Sequence, residues 1–336
     1  MNMSQIQEFQ LTNNNGAKVK IINLGARLTE LIIPTIKNGD INTILAYEHN
    51  EQYNLDSMFH GAIIGPVCNR IANGRFNLNN QDYRLTPNDG NNLLHSGTNG
   101  LHQQLWQVVE HAVSTLTLQI KQKHNENGFP GNVTIELTYN LHEHNTLSLQ
   151  WSATSDQDTP LNLTSHSYFN LSGFGDIKNH LLRINTDKYT PYSDEQIPNG
   201  DIASVNNTPL DFRKFTPLTD ALDGSHPELL RWGGLDHNWV FDERPQLKIQ
   251  AELYSKDTEL LLQIESTLPA MQCYTGNQLA VFGIHGTHEG ICLEPQFYPN
   301  SVNEDNFPDT ILKANETITQ QVNLIFTEVK LEQLSN

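Results

Sequence analysis

Val133-Thr134-Ile135-Glu136-Leu137-Thr138-Tyr139 alternates apolar and polar residues without a break. Residues two apart in an extended chain share a face, so this run offers Val, Ile, Leu and Tyr to a core and Thr and Glu away from it. The same period recurs on both sides. Leu116–Ile120 and Leu147–Trp151 flank it, and Leu247–Ala251, Leu260–Ile264 and Val322–Phe326 repeat it towards the C-terminus. Turn pairs punctuate the chain: Asn73-Gly74, Asp89-Gly90, Asn99-Gly100, Pro130-Gly131 and Asn199-Gly200. Helical periodicity is scarce, and only the polar stretch Pro217 to Trp232 reads as a loop with a short helix. Many short strands between turn clusters predict an all-β fold, a large antiparallel β-sandwich. With no internal repeat, low-complexity tract or long linker, residues 1–336 read as a single domain.

Composition narrows the partners. Of 336 residues 37% are apolar and only 17% charged, and Asn, Gln, Ser and Thr supply much of the polarity, which suits a neutral, hydroxyl-rich ligand. The formal net charge of −18 with no Lys/Arg-rich run argues against nucleic acid and against anionic membrane surfaces. Cys68, Cys273 and Cys292 are widely spaced and odd in number, so they read as buried free thiols rather than a disulfide framework or a metal knuckle. The first 20 residues lack the apolar core of a signal peptide, and no run approaches a membrane span; the expectation is a soluble, cytoplasmic protein.

Five segments place polar or ionisable residues in apolar, glycine-punctuated sequence. Asn69 and Arg70 precede a turn, and His95 precedes small residues that allow close approach. In Thr164-Ser165-His166-Ser167-Tyr168-Phe169-Asn170-Leu171 an imidazole, a phenol and a carboxamide alternate, so His166, Tyr168 and Asn170 project together if the run is one strand. Such a polar row is costly in a core and useful along a cleft. Asp236 sits beside flexible glycines, and Glu294 follows a strand-like run in which an ionised carboxylate needs partners or shifts its pKa. Each has an ordinary alternative: Arg70 in a surface ion pair, His95 as a loop cap, His166 and Tyr168 as satisfied core rings, Asp236 as a turn residue. Glu294 has the weakest such alternative, because unpaired buried Glu is rare. His285-Gly286-Thr287-His288-Glu289 lacks zinc spacing and reads as a turn; there is no HExxH, no G-x-S-x-G, no phosphate loop and no dinucleotide fingerprint. No metal and no cofactor are expected.

Taken in order along nearly the whole chain, these segments resemble the aldose 1-epimerase family. Asn23–Leu28, Asn69–Phe76, Asn92–Gly97 running on to Trp106, Gly128–Asn132 and His166–Leu171 match its motifs. So do Gly200-Asp201-Ile202 with Thr208–Arg213, Asp236-His237-Asn238, Gln272–Asn277 and Leu293–Gln296. Any one is weak, while nine in register are strong. The chain departs from the pattern at Pro66, where the family usually has Arg, at Ser165 for Asn, at Pro295 for Thr, and at Asn300 for an acidic residue.

The resemblance implies an isomerase that interconverts the α and β anomers of free hexoses such as galactose and glucose by opening and reclosing the ring. It implies Glu294 as base on the C1 hydroxyl, His166 as acid on the ring oxygen, and His95 sharing charge near that oxygen. Asn69, Arg70, Asp236 and Gln272 are expected to hold sugar hydroxyls, with Tyr168 beside His166. A Glu near 4.3 is ionised at neutral pH, and a His near 6.5 needs a modest upward shift to act as the acid. Alternatives of other kinds are a hexose-phosphate 1-epimerase, which needs a cationic cluster, and a non-catalytic sugar binder, which needs no acid–base pair. The partner implied is a monosaccharide, and the assembly a monomer or homodimer.

Overall fold

The computed structural model describes residues 6–224, 226–241 and 246–334. Strands dominate, and three antiparallel sheets carry the architecture. The largest has nine strands, in spatial order Gln107–His111, Thr115–Gln122, Val133–His142, Thr146–Ser155, Thr317–Glu328, Leu260–Ser266, Lys248–Ser255, Leu181–Ile184 and Thr216–Pro217. All six runs identified by alternation lie in this sheet. Along Val133–His142 the residues alternate between buried and half-buried up to an exposed final His142, so the strand puts one face on the core and the other towards solvent.

A second sheet of six strands runs Tyr168–Phe169, Ile291–Gln296, Ala270–Tyr274, Asp236–Val240, Lys188–Thr190, Ala203–Ser204. A third has four: Glu8–Thr12, Lys18–Ile22, Arg27–Thr35 and Gly39–Asn42. One apolar cluster draws on all three. It includes Leu28 and Leu31 from the four-stranded sheet, Leu137, Trp151 and Leu324 from the nine-stranded sheet, and Trp239, Met271 and Leu293 from the six-stranded sheet. Burying apolar faces of stacked sheets against one another is what makes this a sandwich. The stretch 217–232 carries two short helices, Leu218–Leu222 and Pro227–Trp232, in keeping with its polar, aperiodic sequence.

The run 164–171 is not one strand. Thr164–Ser165 pairs with Ile63–Ile64, the chain breaks at His166 and Ser167, and Tyr168–Phe169 then joins the six-stranded sheet opposite Ile291 and Cys292. The break is fixed by Gly61, whose N–H donates to the His166 carbonyl while its own carbonyl accepts from Leu28. A side chain there is impossible: at φ +64° a Cβ would lie 1.9 Å from the Leu28 oxygen. Asn170 consequently leaves the row. Its amide donates to the carbonyls of Gly175 and Glu289, and its oxygen accepts from Ser172, bracing a loop away from the cleft.

Candidate active site

Register in the six-stranded sheet decides which side chains meet. Asp236 faces Tyr274, Asn238 faces Gln272, Gln272 faces Glu294, and Tyr274 faces Cys292 across neighbouring strands. The intervening positions, Trp239, Met271, Cys273, Ile291 and Leu293, belong to the core. One face of the sheet is therefore core and the other carries Asp236, Gln272, Tyr274 and Glu294 into a cavity of about 470 Å³. That volume is within the range of about 300–1,000 Å³ usual for small-molecule sites. All eight residues singled out from the sequence, Asn69, Arg70, His95, His166, Tyr168, Asp236, Gln272 and Glu294, line this one cavity.

At its floor, His166 Nε2 lies 3.8 Å from Glu294 Oε1, with both side chains almost wholly buried. His166 Nδ1 is 3.4 Å from Cys292 Sγ. Glu294 Oε2 meets no hydrogen-bond donor among the described residues. Burial pushes the Glu294 carboxyl well above the usual carboxylate range, and the Asp236 charge adds to it. Burial likewise pulls His166 down to about 3. The modest upward shift expected for His166 is thus replaced by a downward one, because desolvation outweighs a backbone hydrogen bond and the Asp56 charge, which pull the other way. Both shifts favour the uncharged form of the pair, neutral imidazole beside protonated carboxyl.

His95 approaches His166 edge-on, with ring centroids 5.4 Å apart. Its Nδ1 accepts the Asn69 backbone N–H at 3.1 Å. A backbone amide only donates, so the proton of the neutral His95 ring sits on Nε2. Burial, then the neighbouring His166 and Arg70, hold His95 well below its ordinary value, so it is neutral. Both residues of this pair have left-handed backbones, φ 57° at Asn69 and 51° at His95. Strain of that kind clusters at functional sites.

The rim is a hydrogen-bonded chain. Arg70 Nε donates to Asp89 at 2.7 Å and Arg70 Nη2 to Gln196 Oε1 at 2.7 Å. Gln196 Nε2 donates to one Asp236 oxygen at 2.7 Å, Gln272 Nε2 to the other at 2.6 Å, and Tyr192 donates to Gln272 Oε1 at 2.9 Å. Tyr168 contributes its ring, 5.1 Å from that of His166, while its hydroxyl donates to the Met58 carbonyl and so is turned from any ligand.

Behind the cavity, Asp56 accepts from Arg27, Tyr47, His60 Nδ1 and the backbone N–H groups of Met58 and His60. Burial opposes its ionisation, but the His60 hydrogen bond and the Arg27 charge outweigh that and hold it well below the carboxylate range. This knot fixes the loop 57–60. Phe59, itself at φ 60°, stands against the rings of His95, His102 and His166 at 4.7, 4.9 and 5.6 Å.

Sequence reasoning missed Gln196, Asp89, Tyr192, Phe59 and the Arg27–Asp56–His60 knot. Asp89 was visible only as a turn residue, and nothing in the order of residues around Gln196 or Asp56 points to the cleft. The histidines at 285 and 288 are structural: His285 contacts Glu289 and the Ala46 carbonyl, and His288 the Thr275 carbonyl. The three cysteines are free and buried, as read. No helix among the described residues is long and apolar enough to cross a membrane. Of the departures, Pro295 accepts the Thr164 hydroxyl with its carbonyl, and Asn300 accepts the Ala72 N–H while donating to Glu304. An acidic side chain at 300 could perform only the first of Asn300's two roles.

The β-sandwich thus holds a buried His–Glu pair at the floor of a small-molecule cavity with a rim of amides, guanidinium and carboxylates, a lining suited to a polyhydroxylated ligand. The profile described as Aldose 1-epimerase matches residues 7–324, and the chain belongs to the aldose 1-epimerase family, whose members are carbohydrate isomerases. It is 32% identical over 332 residues to galactose mutarotase of Sus scrofa, covering 96% of this chain and 94% of that one. It is 32% identical to aldose 1-epimerase of Escherichia coli over 315 residues, covering 91% of each. The crystal structure of an aldose epimerase homologue from C. elegans superposes with a TM-score of 0.90 at 27% identity, covering 97% of this chain and all of that one.

Proposed function

We propose that this cleft interconverts the α and β anomers of free aldohexoses, galactose and glucose first among them, with Glu294 and His166 as the proton-transfer pair. The observation that carries the reading is their juxtaposition, 3.8 Å apart at the floor of the cavity. The two oxygens of a hemiacetal share one carbon, so a donor and an acceptor this close can address both at once. The form that attacks the closed ring is Glu294 carboxylate with His166 imidazolium, reached from the uncharged pair by passing its one proton from Glu294 to His166. Glu294 takes the proton of the C1 hydroxyl, C1=O forms, the C1–O5 bond breaks, and His166 delivers its proton to O5. Rotation about C1–C2 presents the other aldehyde face, and the two transfers reverse.

The pair starts and ends with the same single proton, so no exchange with solvent is required. Its uncharged form, which burial favours, is the form that accompanies the open-chain aldehyde. The Nε2–H of His95 is the donor that shares charge at the ring oxygen. Asn69, Arg70, Asp236 and Gln272 take the remaining hydroxyls. General acid and base each contribute about 10²–10⁴-fold, which suffices for a reaction that already proceeds in water. A phosphorylated hexose is disfavoured: Arg70 is the one Lys or Arg lining the cavity among the described residues, it is already paired with Asp89, and Asp236 and Glu294 face the same space.

The test is polarimetry on freshly dissolved α-galactose. Glu294→Gln is expected to lose nearly all acceleration while still binding sugar by calorimetry. Equilibration at the wild-type rate would remove Glu294 as the base.

A further inference from the structure

Beside the proton-transfer pair at the cavity floor lies a thiol that proton transfer does not use. Cys292 and Glu294 lie two apart on one strand, on the same face, and His166 sits over both. One ligand atom from each, thiol sulfur, imidazole nitrogen and carboxylate oxygen, falls within 4.8 Å of the other two. Zinc bonds of about 2.0–2.3 Å place tetrahedral ligand atoms about 3.3–3.5 Å apart. One ion takes only one imidazole nitrogen, and the set with a single nitrogen lies within 4.8 Å, so side-chain rotation has to draw the three atoms together by up to about 1.5 Å to reach that spacing. Glu294 Oε2, fully buried, has no donor among the described residues. His166 and Glu294 both line the cavity, which gives an ion a way in.

We propose that Cys292, His166 and Glu294 form a binding site for a thiophilic divalent cation such as Zn²⁺, and that its occupation switches the enzyme off. The set of one sulfur, one nitrogen and one oxygen suits a borderline-soft ion and not Mg²⁺ or Ca²⁺, which prefer oxygen ligands. Binding replaces the Cys292 S–H bond with a Zn–S bond and releases that proton to solvent, along with any proton held by Glu294; nothing is oxidised or reduced. The bound ion holds the imidazole and the carboxylate assigned to proton transfer, so the inhibitory half of the inference rests on the proposed roles of His166 and Glu294. The binding half does not.

The experiment is calorimetric titration of the whole protein with ZnCl₂ in buffers of different ionisation enthalpy, beside polarimetry at the same zinc concentrations with and without EDTA. The expected results are one site, proton release, and EDTA-reversible loss of mutarotation that Mg²⁺ does not reproduce. Cys292→Ser keeps the size and a hydroxyl beside His166 Nδ1. It is expected to weaken zinc binding at least ~100-fold, since it removes a ligand outright. Sensitivity is read as the ratio of rates with and without zinc within each protein, so any change in basal turnover cancels. Absence of a stoichiometric site, or equal zinc affinity in C292S, overturns the proposal. Zinc bound through Cys292 with undiminished turnover would leave the metal site standing and overturn the roles given to His166 and Glu294.

Discussion

Asn69 and His95 hold each other reciprocally: the Asn69 N–H donates to His95 Nδ1 at 3.1 Å, and the His95 N–H donates to the Asn69 carbonyl at 3.0 Å. Two left-handed residues locked together leave the imidazole one tautomer and one orientation, with Nε2–H as its free donor. His95→Asn retains an acceptor of nearby position but loses that donor. Its expected effect is a fall of about 10²-fold in kcat with a smaller change in KM, since a donor to developing charge acts chiefly in the transition state. Steady-state polarimetry over a range of galactose concentrations checks it; a rise in KM at constant kcat would make His95 a binding residue.

The pH profile follows from the pair at the floor. Two ionisable groups this close titrate as a unit, and the active unit holds one proton. A second proton enters only as pH falls towards about 3, because burial depresses His166. The last leaves only well above the usual carboxylate range, because burial raises Glu294. The expected profile of kcat/KM therefore has its acid limb well below the ordinary histidine value of about 6.5. An acid limb near 6.5 that disappears in His166→Asn would show instead that His166 draws its proton from solvent.

Gln196 spans the gap between Arg70 and Asp236 with one bond to each, and does so from a backbone at φ 55°. Removing it leaves a guanidinium and a carboxylate, both assigned to sugar hydroxyls, without the spacer that sets their separation. Gln196→Ala is expected to raise KM about tenfold, the scale of one hydrogen bond to a charged group, with kcat little changed. Measuring galactose and glucose side by side also shows whether the spacing discriminates between them. An unchanged KM for both sugars would place Gln196 outside recognition.

How much of this was readable beforehand depended on what each sheet faces. The nine-stranded sheet has one face on the core and one towards solvent, so Val133–His142 and its neighbours carry a clean period of two. The six-stranded sheet is covered on both faces, and every residue of Ile291–Gln296 is buried. Its alternation is core against cleft, with Cys292, Glu294 and Gln296 on the cleft side, and no hydropathy pattern reports that. Its members were recognisable only by motif. The row at 166–170 failed at Asn170 because a strand break forced by Gly61, a hundred residues earlier, is invisible locally. Gln196 and Asp56 escaped for the same reason: their partners lie 40 and 126 residues away for Gln196 and 29 for Asp56 with Arg27.

The Arg27–Asp56–His60 knot links stability to the site. Arg27 and Asp56 have no exposed side-chain surface, and their closest contact is 2.6 Å. Asp56→Asn keeps the volume but leaves the Arg27 guanidinium buried without its counter-charge, and turns one acceptor oxygen into a donor facing the N–H groups it served. Breaking one partner of a buried pair costs about 3–5 kcal/mol, so a loss of that size is expected in urea unfolding. Because the same carboxylate anchors the loop bearing Phe59, the folded variant is also expected to lose turnover, although residue 56 does not line the cavity. Restoring neither function nor stability by lowering the temperature alone would agree with misplacement of Phe59; wild-type turnover in the folded fraction would separate the knot from catalysis and leave it a purely structural device.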